Sequence, residues 1–133
     1  MAMNLADPTA QTLVFPAAAD SVNESSGIFV SGMYELIGFF WEAMEATTAI
    51  LHVEVTADSP SVLDADATWV QAWDKDGDEL IITEVFTAAG YVSISPDQLL
   101  IGPIRFRFEA FAADGTTAVD QDEQVITPVF RSM

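Results

Sequence analysis

Between residues 104 and 111 apolar and polar side chains alternate. Ile104, Phe106 and Phe108 fall on one side, and Arg105, Arg107 and Glu109 on the other. A period of two is the mark of a strand with one buried and one polar face. Leu51, Val53 and Val55 alternate with His52 and Glu54 in the same way. Residues 33–40 form a denser apolar run, rich in the aromatic and β-branched residues that favour a half-buried sheet. Shorter strands are expected at 12–15, 28–30, 69–73, 80–86, 91–94 and 124–130. Pro128 has no N–H to give to a ladder, so the last strand is expected at an edge or with a bulge.

Turn chemistry separates these runs. Residues 20–27 are rich in Ser, Asn and Glu, and residues 58–67 carry Ser59-Pro60-Ser61 among several acids. Asp74-Lys75-Asp76-Gly77-Asp78-Glu79 lies between two apolar runs and predicts a hairpin, because Gly tolerates the positive φ of a tight turn. Ala88-Ala89-Gly90 and Asp114-Gly115 predict further turns. Two segments favour short helical turns. Residues 41–48 hold the helix formers Glu42 to Ala46, and residues 95–100 open with Ser95 as a cap and Pro96 at the first helical position. Short strands at roughly ten-residue spacing predict an all-β, antiparallel β-sandwich, jelly-roll or Ig-like, with one or two short helical turns. Residues 1–11 read as an N-terminal arm before a single domain over 12–133.

Charge narrows the function. Twenty-one acids face four basic residues, for a net charge of -17. Half of the residues are hydrophobic, which separates this chain from disordered acidic polymers. Nucleic acid needs cations to neutralise its phosphates, and anionic membranes attract basic segments, so neither is an expected partner. Solubility, a high-salt habitat and mimicry of nucleic acid each account for such a charge. Cysteine is absent, so disulfides and thiolate ligands are excluded. No apolar run is long enough to predict a transmembrane helix, and the first residues lack the pattern of a signal peptide.

Candidate chemistry is sparse. His52 is the single histidine, placed by alternation on the polar face of a strand with no nucleophile motif in the sequence. Asp74, Asp76 and Asp78 resemble the start of a calcium loop, but Gly77 falls fourth and Val85 twelfth, where an EF-hand requires Gly sixth and Glu twelfth. The expectation is a protein without catalytic, cofactor or metal residues. Two features suit a partner interface. Arg105 and Arg107, half of the basic residues, share one strand face, with Arg131 near the end of the chain. They either pair with neighbouring acids or contact an acidic partner. Phe39-Phe40-Trp41 puts aromatic side chains on both faces of one strand, so one side is either covered by the chain or left for a subunit contact.

The order of features from Leu36 to Arg131 resembles that of small β-sandwich virion proteins of tailed bacteriophages. The likeness rests on Leu36-Ile37-Gly38-Phe39, Ala46-Thr47-Thr48-Ala49 and the strand Ile50-Leu51-His52-Val53-Glu54-Val55. It continues through Trp69-Val70, the acidic hairpin, Tyr91-Val92-Ser93-Ile94-Ser95-Pro96, the Arg105/Arg107 strand, and Gln124-Val125-Ile126 with Arg131. This resemblance implies a non-enzymatic structural protein, made in a bacterial host cytoplasm and bound to the outer capsid surface. Its partner would be the major capsid protein, which it would cement or decorate, as a homo-oligomer such as a trimer. A tail, head-fibre or fibre-base module is the alternative within the particle. An acidic nucleic-acid mimic that inhibits a DNA-binding enzyme is the alternative of another class.

Overall fold

The computed structural model describes residues 12–16, 23–94, 100–101 and 103–132. The first sheet contains β1 (Leu13–Val14), β3 (Tyr34–Trp41), β7 (Gly90–Ser93), β8 (Leu100–Ile101) and β10 (Val125–Ser132). The second contains β2 (Ile28–Val30), β4 (Ile50–Thr56), β5 (Val70–Gln71), β6 (Ile81–Thr83) and β9 (Ile104–Phe111). Every pairing among the described residues is antiparallel.

The order within the sheets identifies the winding. β5 and β6 both lie against β4, at its two ends, so they are two halves of one strand interrupted by the acidic hairpin. β7 and β8 likewise share β3. The pairs β1·β10, β2·β9, β3·β7/β8 and β4·β5/β6 are then nested, and successive pairs alternate between sheets. A long antiparallel hairpin rolled up in this way is a jelly roll, which decides between the two sandwich types expected.

Aromatic rings join the sheets. Phe39 of β3 meets Phe108 of β9 at 4.9 Å between ring centres, and Phe106 sits edge-on to Phe108 at 5.7 Å. Trp41 packs on Phe86 at 5.0 Å and donates its indole N–H to the Ala88 carbonyl. Leu13, Leu36, Leu51, Val53 and Ile126 complete the core. The register of β3 against β10 shifts between Val129 and Phe130, leaving Ile37 as an extra residue between Leu36 and Gly38. This bulge lets Leu36 and Phe39, three apart, face the same core. Pro128 is also buried and pairs with Phe39. Although β10 is an inner strand, among the described residues β1 pairs only with Val125 and Ile126, and Pro128 sits close to the bulge.

The helical turn expected over 41–48 does not form, and no described residue is helical. Trp41 still belongs to β3, and the chain then crosses as a loop with Met44 plugged into the core. Gln121, fully buried, holds this loop. Its side-chain carbonyl accepts the Glu45 N–H at 3.1 Å, and its amide donates to the Thr48 hydroxyl at 2.7 Å. A segment this short cannot repay helix nucleation, so tertiary hydrogen bonds decide its shape. The second expected turn falls on residues 95–99, outside the described residues, as does the arm at 1–11; Leu100 opens β8. The hairpin at 74–79 forms as expected, with Gly77 at φ +83° and the Asp74 carboxylate accepting N–H bonds from Asp76 and Asp78.

Because Phe108 touches both Phe39 and Phe106 at full burial, Phe108→Ala is expected to cost about 3–5 kcal/mol, read from urea unfolding. A loss below ~1 kcal/mol would place the core elsewhere.

Candidate functional site

β9 and β4 run side by side, so their outward residues pair as Arg105 with Thr56, Arg107 with Glu54 and Glu109 with His52. This face was expected to meet solvent. Instead, the 57–69 loop and the segment before β2 fold over it. The loop is too polar to enter the core, but Trp69 gives it an apolar plate to lay on the sheet. The indole lies 5.3 Å from the Arg105 guanidinium and 4.5 Å from that of Arg107, and its N–H donates to the Asp64 carbonyl. Guanidinium on indole is a favourable stack, stronger where water is excluded.

Arg107 bonds Glu54 at 2.7 Å and Glu24 at 2.9 Å. A third carboxyl, Glu109, stands beside Glu54 and bridges to Glu24 through the backbone. Three acids share one arginine. Burial, then the nearby Glu54 carboxylate, push the Glu109 carboxyl up from 4.5 to about 7, against the pull of Arg107. His52 is tucked beneath the Phe111 ring and hydrogen-bonded to Gln71 at 2.9 Å, with Glu79 at 3.6 Å. Arg105 is only 5% exposed; one of its terminal nitrogens donates to the carbonyls of Ser59, Pro60 and Val62. Arg131 lies on the other sheet, where it pairs across strands with the buried Glu35. The three arginines singled out in the sequence are thus not one cluster, and each is engaged with its own chain.

The aromatic triplet divides as strand geometry requires. Phe39 and Trp41 are buried, whereas Phe40 points outward and is 51% exposed. Tyr91 of β7 pairs with it, ring centres 4.5 Å apart. On the other side of Phe40, Thr127 is its β10 partner, and Val125 and Val14 pair in the next row. The outer face of the first sheet therefore carries an apolar strip, with a shallow depression of about 230 Å³ among Phe40, Trp41, Glu42, Val125 and Thr127. Tyr91 and Val14 were not legible as part of this strip, because only the register brings them to Phe40. Trp69 and Glu24 escaped notice on the other face for the same reason.

Among the described residues no three His, Asp or Glu side chains converge as a metal-ligand set. No protein-family model, curated protein or solved structure matches this chain.

The Glu109 site makes stability depend on pH. A carboxyl held at about 7 in the fold and near 4.5 in the unfolded chain stabilises fully below pH 4.5, and this contribution is lost as pH rises through about 7. Melting temperature is expected to fall across that window. Glu109→Gln should flatten the fall and leave the variant more stable than the parent at pH 8, as measured by calorimetry. An unchanged pH profile in the variant would place the titration elsewhere.

Proposed function

We propose that this protein is a non-enzymatic structural jelly roll that decorates or cements the outer surface of a phage capsid. The observation that carries the reading is the exposed, ring-to-ring pair of Phe40 and Tyr91 on one sheet of a strongly acidic chain. Exposed aromatic side chains set in a polar rim suit a docking face. The likeness to phage virion proteins in the order of sequence features supplies the partner, the major capsid protein. Jelly rolls serve in viral particles among other roles, which is compatible with the proposal at the level of fold.

The physics of such attachment is modest per copy. Each copy buries a small apolar strip across a joint between capsomers, and the sum over many copies resists opening. The net charge of -17 on each copy keeps particles apart. The arginines are held within the chain, so attachment on this reading rests on apolar contact more than on ion pairs.

Quantitative mass spectrometry of purified particles tests the assignment. A copy number comparable with that of the major capsid protein is expected. A handful of copies would move the protein to the tail or fibre base, and its absence from particles would overturn the reading. Phe40→Asp with Tyr91→Asp should weaken capsid attachment by about 30-fold, the ~2 kcal/mol of a contact hot spot. The variant also loses a cross-strand aromatic pair and gains two facing charges, so attachment is compared at a temperature where circular dichroism shows it folded.

A further inference from the structure

Arg105 projects from β9 between Phe29 of β2 and Thr56 of β4, its partners in register. Beside it the 60–64 loop and residues 27–29 border an open cavity of about 340 Å³, lined by Arg105 itself. Its walls include Ile28, Phe29, Pro60, Val62 and Leu63. That volume lies at the small end of ligand sites, which run from ~300 to ~1,000 Å³.

The guanidinium is incompletely used. Its Nη1 donates to the Val62 carbonyl at 2.5 Å and, through stretched contacts of 3.4 Å, to Ser59 and Pro60. Its Nε and Nη2 are buried and have no hydrogen-bond partner among the described residues. Those two nitrogens form the edge of a guanidinium that presents parallel N–H groups, the fork that fits a carboxylate with two bonds. Buried donors without partners are costly, and an arginine fork without a counter-ion is more so. The lack of a partner does not come from a shortage of acids. Arg107 holds two carboxylates and Arg131 one, in a chain of 21 acidic residues. Yet among the described residues no carboxylate makes an ion pair with Arg105.

We propose that this cavity binds a carboxylate carried on a short apolar group, the carboxylate on the Arg105 fork and the apolar group against Phe29, Pro60 and Val62. A free aliphatic carboxylate and the C-terminal residue of a peptide chain share this chemistry. One acid shapes the selectivity. Asp64 lines the same cavity and accepts the Gly27 N–H at 2.8 Å. Its charge, with the net charge of the chain, disfavours phosphates and other multiply charged anions and leaves a monoanion as the fitting ligand. Gly27 keeps this corner compact. A Cβ there would stand 2.7 Å from the Trp69 ring and 2.9 Å from the Asp64 carboxylate. Both free nitrogens are buried, so a ligand reaches them only as the 59–62 loop shifts, and the two 3.4 Å contacts of that loop are the weak ones. This site is on the opposite sheet from the Phe40 strip, and the proposal does not rest on the capsid reading.

The test is a titration of the ¹⁵N-labelled full chain, followed by nuclear magnetic resonance. The probes are isovalerate, its neutral amide isovaleramide, and the tripeptide Ala-Ala-Val with a free or an amidated C-terminus. Saturable shifts of the Arg105 Nε–H and of the Gly27 and Asp64 amides are expected with the charged probes and not with the amides. Binding of the tripeptide but not isovalerate would identify a chain terminus as the source, and the reverse a free acid. Arg105→Lys keeps the charge but loses the fork, and should weaken binding at least about tenfold. If that variant does not fold, Ser61→Trp on the exposed cavity rim should block binding with the core intact. No saturable shift, equal shifts with the amides, or normal binding by Ser61→Trp would each overturn the proposal and leave a water-filled cavity.

Discussion

The Trp69 indole lying over two guanidinium groups is the contact on which the rest of the second sheet's outer face depends. Strand β9 is buried on its inner face and partly covered on its outer one. Its inner face is closed by Phe106 and Phe108 against the opposite sheet, which the hydrophobic effect readily accounts for. Its outer face carries two arginines and a glutamate, and these must be covered without being stranded. A flat, polarisable ring meets the faces of the guanidiniums while leaving their edges to oxygen acceptors. Without Trp69 the 57–69 loop would lose its stacking contact with both guanidiniums.

From this cover follow the electrostatic features of the protein. Three carboxyls gathered around Arg107 cannot all stay ionised in a space with reduced access to water, so Glu109 keeps its proton well above the usual range. A buried ion pair of this kind contributes little net stability but fixes which acids meet which arginine. Arg105, one row along the same face, meets only carbonyl oxygens on one nitrogen. The difference between the two arginines is one of position. Arg107 stands opposite Glu54, whereas Arg105 stands opposite Thr56.

The two outer faces differ in kind. One is a charged layer beneath a loop, with a small cavity at its margin. The other is a bare strip of Phe40 and Tyr91 on the strands that bury Phe39 and Trp41 on their inner side. Chain connectivity produces this asymmetry. The long connection between β4 and β5 returns over its own sheet, and the described residues provide no comparable cover for β3 and β7.

Alternation along 104–111 and 50–56 made the two central strands of the second sheet legible in the sequence, and Asp-Gly made the acidic hairpin legible, because both are set by neighbours in the chain. The split of Phe39, Phe40 and Trp41 between two faces was legible as well, since it needs only the pleat of a strand. Which of the three would be exposed was not, because the Ile37 bulge fixes the phase. The 42–46 segment has helical propensity, but Gln121, reached through long-range folding, holds it as a loop. The sequence by itself thus determined that the chain is an antiparallel sandwich with an acidic coat. The tertiary structure alone decided the jelly-roll winding, the covering of the β9 arginines by the 57–69 loop and the pairing of Phe40 with Tyr91. Each of these depends on residues far apart in the chain, and a period of two carries no information about which strands become neighbours.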